Sequence, residues 1–81
     1  MTVTVLYFAH YQDVAGVRGE PWNLPEAACL ADLARAVEQR YPSLTGLLDH
    51  GRAAVNAAFA DSGTILSNGD EIAWMPPMSG G

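Results

Sequence analysis

The sequence contains no lysine, a single cysteine (Cys29) and few charged residues, 16 % of its 81 positions. One cysteine excludes an internal disulfide and any metal site built from several cysteines. Four arginines against nine acidic residues give a net charge of −5, so no basic patch is available to neutralise the phosphates of a nucleic acid. Without lysine the chain cannot accept an isopeptide bond on a side chain, and in such chemistry it would be the donor.

Long apolar runs are missing as well. No run approaches the roughly 20 apolar residues of a membrane span, and a strand pattern, not a signal peptide, follows Met1. We therefore expect a cytoplasmic protein with neither nucleic-acid nor membrane partners. The negative charge favours a protein partner with basic surface. With 49 % apolar residues, the chain is predicted to fold as one globular domain with a small core.

One segment, residues 30–41, has a strong helical pattern. Leu30, Leu33 and Val37 belong to an apolar stripe with helical spacing, and polar residues occupy the other face. Pro42 is predicted to end this helix, because a residue that precedes proline avoids helical dihedrals. Cys29 stands at the predicted N-cap, where Ser, Thr, Asp or Asn would be more favourable.

Strand patterns occur at residues 2–9, 20–24, 53–60 and 71–75, with a short extended piece at 64–66. Residues 10–19 are predicted to form a loop with one short turn. Two early strands, a crossing helix and a late strand beside the first predict an α+β fold of the β-grasp (ubiquitin-like) type. It would have a mixed sheet of four to five strands and one main helix across one face.

One helix can hardly cover both faces of such a sheet, so the other face is expected to be open. At the end of the first strand the alternation fails, and either Tyr7 or Phe8 must point outward. Phe8 and Phe59 are thus candidates for partner contact, although burial in the core remains the alternative for both.

The last six residues, 76–81, are predicted to form a tail beyond a body of residues 1–75. Pro76 and Pro77 cannot donate to a β-ladder and favour a stiff polyproline II lead. Fully extended, six residues span roughly 20 Å. Gly80 and Gly81 have no Cβ and can enter a narrow channel. The tip of the tail carries the α-carboxylate of Gly81.

No other residues form a convincing site. His10 and His50 lack the spacing of metal ligands, so no metal is expected. Cys29 has no histidine or lysine beside it in sequence and is predicted to be inert. We find no phosphate-binding loop, carboxylate pair or catalytic triad. The chain is not expected to catalyse a reaction with side chains of its own.

Five segments of the sequence match one known family. They are VLYFA (5–9), VAG (14–16), AAVN (53–56), NGDEIA (68–73) and the ending PPMSGG (76–81). Along its whole length the chain resembles the small subunits of molybdopterin synthase, ubiquitin-like sulfur carriers related to the thiamine sulfur carrier. It departs from the family pattern at Gln12 and Asp13, where Arg-Glu is common. Met75 replaces a common aromatic residue, and Cys29 replaces a Thr cap.

The resemblance implies a function for the tail. An activating enzyme of the ubiquitin-activating type would use ATP to adenylate Gly81, and a sulfur donor would convert the adenylate to a thiocarboxylate. The chain would dock on the large subunit, in a heterotetramer, and donate sulfur to cyclic pyranopterin monophosphate. No cofactor would bind this chain. The residues that would thread into the large subunit are Pro76, Pro77, Met78, Ser79 and Gly80, ahead of Gly81.

The resemblance also implies that Phe8, Phe59 and Met75 face the partner. Two alternatives to the molybdopterin function stay open. The chain could carry sulfur for another pathway, such as the synthesis of thiamine, cysteine or a thiolated nucleoside. It could also be a non-catalytic β-grasp interaction module with an inert tail.

Overall fold

The computed structural model describes residues 1–76, and the tail residues 77–81 lie outside that range. The described chain runs β1 (Thr2–Tyr7), α1 (His10–Ala15), β2 (Gly19–Asn23), α2 (Leu30–Arg40), β3 (Arg52–Val55), β4 (Ala58–Ala60) and β5 (Glu71–Met75). Two 3-10 turns, Pro42–Leu44 and Leu48–His50, connect α2 to β3. No helix in this part of the chain is long and apolar enough to cross a membrane.

The strands form one mixed sheet in the order β2-β1-β5-β3-β4. The central strands β1 and β5 are parallel, whereas β1–β2, β3–β5 and β3–β4 are antiparallel. Pro21 lies on the edge strand β2, where its missing N–H costs no ladder hydrogen bond. The predicted α+β, β-grasp architecture is confirmed, with five strands and one main helix.

The core lies between the sheet and α2. Val3, Val5 and Tyr7 alternate inward along β1, each 0–1 % exposed. Leu33 and Val37 of α2 are both 0 % exposed, as the apolar stripe predicted. Burying each such aliphatic side chain stabilises the fold by about 1.5–3 kcal/mol.

Helix α2 begins and ends close to its predicted limits. Cys29 is the N-cap, and its backbone N–H donates to Oδ2 of Asp32 at 2.9 Å. That hydrogen bond holds the pKa of the Asp32 carboxyl below its usual value. Tyr41 closes the helix by donating its N–H to the Val37 carbonyl at 2.8 Å.

The predicted loop at residues 10–19 proves to contain a six-residue helix, α1. Tyr11, 1 % exposed, anchors α1 in the core. Gly16, with φ of 76°, ends it by donating its N–H to the Gln12 carbonyl at 2.8 Å. Six residues are too few for helical periodicity to be recognised, and the burial of one tyrosine stabilises the segment instead.

The prediction of a single strand at residues 53–60 is wrong, because these residues form a hairpin of β3 and β4. Asn56 and Ala57 have φ of 51° and 70°, the left-handed pair that makes a two-residue hairpin turn. The Asn56 side chain also accepts the N–H of Glu71 at 2.9 Å and donates to Asp70 at 2.8 Å. Residues 64–66, predicted to be extended, contribute one isolated bridge between Ile65 and Cys29.

Candidate functional site

The face of the sheet opposite α2, called here the open face, is divided into two halves. The register between the strands aligns its residues in rows that cross the sheet. At one end the rows are polar: Thr2 opposes Asn23, and Thr4 lies between Pro21 and Glu71. The next row is apolar and consists of Gly19, Leu6, Ala73, Ala54 and Phe59.

The apolar half lies at the end of the sheet from which the chain continues into its tail. In its last row Met75, the final residue of β5, opposes Arg52 of β3. We define the apolar half by Leu6, Ala54, Phe59, Ala73 and Met75, with Arg52 at its margin. Ala54 and Ala73 form a low floor, and Phe59, 66 % exposed, stands beside it. A partner that covers this half therefore also covers the root of the tail.

At the end of β1, Tyr7 is the inward and Phe8 the outward residue. Tyr7 is 1 % exposed and Phe8 is 44 % exposed. Phe8 continues the alternation of β1 beyond Leu6, which places it on the open side. The sequence left open whether Phe8 and Phe59 were core residues, and the structure shows that neither is. Met75 is half-buried, as is Pro76, the first residue of the predicted tail.

Single exposed apolar residues are normal, but apolar residues that adjoin on one face are typical of an interaction site. Phe59 is partly covered by its own chain: the guanidinium carbon of Arg52 lies 4.8 Å from the centroid of the Phe59 ring. This is a cation–π contact between diagonal neighbours on the open face. Arg52 is not among the residues predicted from the sequence, because its place beside Phe59 depends on the pairing of β3 with β4.

The root of the tail is fixed by a close backbone contact at Gly51. A Cβ at this position would meet the carbonyl oxygen of Met75 and would lie 2.7 Å from the Tyr11 hydroxyl. That hydroxyl donates to the Leu47 carbonyl at 3.0 Å. Glycine at this position lets the turn before β3 pass directly under the last residue of β5.

A polar cluster on the α2 side of the sheet joins β1 and β2 to Tyr41, the residue that caps the end of α2. Oε2 of Glu20 accepts hydrogen bonds from the Tyr7 hydroxyl at 2.7 Å, the Tyr41 hydroxyl at 2.9 Å and the Trp22 indole N–H at 3.2 Å. Burial and the Glu20 contact raise the pKa of Tyr7 well above its usual value. The cluster is structural: it holds Tyr7 inward and thereby directs Phe8 outward. No motif in the sequence marks it.

The described residues offer little other chemistry. Across residues 1–76 no group of three or more His, Cys, Asp or Glu side chains could hold a metal ion. Cys29 is a free, half-buried thiol at the start of α2. The remaining predicted site residues, Pro77, Met78, Ser79, Gly80 and Gly81, lie outside the described residues, so their roles stay predictions.

Comparisons with known proteins identify the family of the chain. The model of the ThiS family matches residues 5–81. The chain is 37 % identical to the molybdopterin synthase sulfur carrier subunit of Homo sapiens, over 98 % of this chain and 93 % of that one. The subunit of the same name from Chlamydomonas reinhardtii is 34 % identical over the full length of both chains.

Two solved structures extend the likeness. SAMP1 from Haloferax volcanii superposes with a TM-score of 0.89 at 28 % identity, over 100 % of both chains. A complex of subunits 1 and 2 of the molybdopterin-converting factor from Helicobacter pylori contains a chain that matches with a TM-score of 0.70 at 29 % identity, again over 100 % of both chains. The chain belongs to the ThiS family and is similar along its whole length to molybdopterin synthase sulfur carrier subunits.

Proposed function

We propose that this chain is the sulfur carrier subunit of a molybdopterin synthase. The observation that carries the proposal is the position of the apolar half of the open face, directly at the root of a tail that reads PPMSGG. Family membership supports it. So does the H. pylori complex, in which a related chain is bound to subunit 2 of the converting factor.

The reactive group in this proposal is the carboxylate of Gly81. It is ionised at pH 7 and therefore a poor acyl donor. On an activating enzyme of the ubiquitin-activating type, a carboxylate oxygen attacks the α-phosphorus of ATP and pyrophosphate leaves. A sulfide-level nucleophile from a sulfur donor then attacks the carbonyl carbon and AMP leaves, which produces a thiocarboxylate. Transfer of that sulfur to cyclic pyranopterin monophosphate, with water supplying oxygen, regenerates the carboxylate.

The body of the protein would contribute docking, not catalysis. Burial of the apolar half, which includes Phe59 and Met75, favours association with the large subunit, and Phe8 extends the same surface. Docking then holds the tip of the tail near the reacting centre at high effective concentration. Pro76 and Pro77 would direct the tail away from the sheet, and Gly80 would let it enter a narrow channel.

The test follows the mass of the intact protein. Purified chain is incubated with the activating enzyme, ATP and sulfide, and we expect a gain of about 16 Da, oxygen replaced by sulfur. The product is then mixed with the large subunit and cyclic pyranopterin monophosphate, and molybdopterin is measured. Deletion of Gly81 should abolish both signals. Gln39→Ala, a change at an exposed position of α2 on the other side of the sheet, should leave both unchanged.

The outcomes separate the alternatives. If no sulfur is gained, the chain is not a sulfur carrier, and the interaction-module alternative is favoured. If the thiocarboxylate forms but yields no molybdopterin, the carrier serves another pathway, such as the synthesis of thiamine, cysteine or a thiolated nucleoside.

The fit to SAMP1 of Haloferax volcanii, described as a small archaeal modifier protein, favours one second candidate function. The amine of another protein's lysine would attack the carbonyl carbon of the Gly81 adenylate, forming an amide as AMP leaves. Incubation of the adenylate-forming reaction with cell protein, followed by mass spectrometry, would detect carrier–protein amides. Absence of such conjugates under conditions that produce thiocarboxylate would exclude this candidate.

A further inference from the structure

The apolar half of the open face carries one charged group at its margin. Among the strand residues that point to the open side, Arg52 is the one cation. It is exposed, it opposes Met75 at the root of the tail, and its guanidinium stacks on the ring of Phe59. The positive charge is thus held at a defined place, unlike that of an arginine free in solvent.

This charge has no counter-ion within residues 1–76. The ion pairs there join Glu20 to Arg40 and Glu26 to the terminal ammonium. Asp61, one residue past β4 and opposite Arg52 in the β3–β4 register, makes no ion pair with it, and its Oδ1 accepts the N–H of Gly63 at 3.0 Å. Among the strand residues that point to the open side, the carboxylate belongs to Glu71, in the polar half. It lies four residues from Met75 along β5, about 13 Å at the rise of a strand. Asp70 is one residue farther and is bound to Asn56 and Ser67.

Docking would take the guanidinium out of water. An arginine enclosed in an apolar interface without an opposite charge is unfavourable, whereas a carboxylate that meets it can form two parallel hydrogen bonds. The guanidinium carbon lies over the Phe59 ring, and because the Arg52 side chain is exposed, a partner carboxylate can reach its N–H groups. The chain as a whole is acidic, with a net charge of −5, so this local positive spot opposes the overall charge.

We propose that Arg52 determines docking specificity: the partner that covers the apolar half presents a carboxylate to the guanidinium stacked on Phe59. The proposal rests on the proposed function, in which that partner is the large subunit of molybdopterin synthase. The partner surface would be apolar opposite Ala54 and Ala73 and acidic opposite Arg52. Such a pattern fixes the orientation of docking and therefore the direction in which the tail leaves.

The test measures binding of the full-length carrier to the large subunit of the same organism by calorimetry at low salt. Arg52→Lys keeps the charge and should bind within about threefold of the unmodified chain. Arg52→Gln should weaken binding by about fivefold and Arg52→Glu by more than about tenfold. Arg35→Gln, an equal change of charge on α2 across the sheet, should change binding less than about twofold.

Salt dependence separates an ion pair from simple packing. Raising the salt from about 50 to 500 mM should weaken binding of the unmodified chain more than binding of Arg52→Gln. A second variant, Arg52→Met, preserves apolar cover over Phe59 and should behave like Arg52→Gln if the charge matters. Binding of Arg52→Met equal to that of the unmodified chain would show that the arginine merely covers Phe59, and would overturn the proposal.

A final arm identifies the carboxylate. Surface Asp and Glu residues of the large subunit are changed to Lys one at a time and tested against Arg52→Glu. One of them should restore binding, and no restoration across the surface would contradict the proposal. Failure of the unmodified chain to bind the large subunit would instead contradict the proposed function, so the two failures are distinguishable.

Discussion

Gly51 and Met75 lie in backbone contact, so close that a Cβ on residue 51 would overlap the Met75 carbonyl oxygen. The contact joins the turn before β3 to the last residue of the sheet, the point where the predicted tail begins. The position of the tail root therefore depends on the absence of a side chain at residue 51.

We expect Gly51→Ala to destabilise the protein by about 1–3 kcal/mol, the usual cost of inserting a methyl group into a packed site. Urea unfolding measures the change. The matched control is Gly63→Ala, whose Cβ would lie 3.6 Å from Oδ1 of Asp61, an ordinary contact. It should stay within about 0.5 kcal/mol. Equal stability of the two variants would show that the Gly51 contact relaxes freely.

Tyr7 makes the stability of the fold sensitive to alkaline pH. Burial and the hydrogen bond to Glu20 raise its pKa, so the folded protein keeps the phenolic proton when the unfolded chain, with a pKa of about 10, has lost it. Stability is therefore complete below about pH 10 and falls as the pH rises further.

In Tyr7→Phe this alkaline loss should be shallower, and the loss that remains is expected from Tyr11, whose pKa burial also raises. At neutral pH the variant should lose about 1–2 kcal/mol, because Glu20 gives up its 2.7 Å hydrogen bond. Urea midpoints from pH 8 to pH 11 provide the measurement. Parallel pH profiles for the two proteins would contradict the assignment to Tyr7.

The hairpin turn between β3 and β4 contains avoidable strain. Ala57 has φ of 70°, a conformation that costs a residue with a Cβ about 1–2 kcal/mol and costs glycine little. Ala57→Gly should therefore raise the free energy of unfolding by about 0.5–1 kcal/mol, after the added flexibility of the unfolded chain is subtracted. Ala58→Gly, one residue later and inside β4, should lower it by about the same amount. A loss of stability in both variants would show that the turn is not strained.

Phe59 is expected to be central to docking on the large subunit. Phe59→Asp places an unpaired charge in the apolar half and should raise the dissociation constant more than about tenfold. Ile65→Asp removes an apolar side chain of similar exposure, 61 % against 66 %, from a loop outside the sheet. It should bind within about twofold of the unmodified chain. Circular dichroism is used to check that both variants are folded. Equal binding of the two folded variants would show that the open face is not the docking surface.

The elements that could be predicted from the sequence are those with a strong local signal. The apolar stripe of α2 and the alternation of β1 indicate which side of each element faces the core. Pro42 indicates where the helix ends. Helix α1 and the β3–β4 hairpin could not be found in this way. Tyr11 holds α1 by tertiary burial, and the Asn56–Ala57 turn lacks the glycine that usually marks such a turn.

The sequence by itself determined which groups the chain can offer: the lack of lysine and the ending in Pro-Pro and Gly-Gly are properties of composition and order. Tertiary structure decided which apolar residues lie together near the root of the tail. The pairing of β1 and β3 with β5 brings Leu6, Ala54 and Ala73 into one row, and the pairing of β4 adds Phe59. These residues are far apart in sequence, and the physical reason is that strand register, which depends on long-range hydrogen bonds and core burial, aligns them on one face.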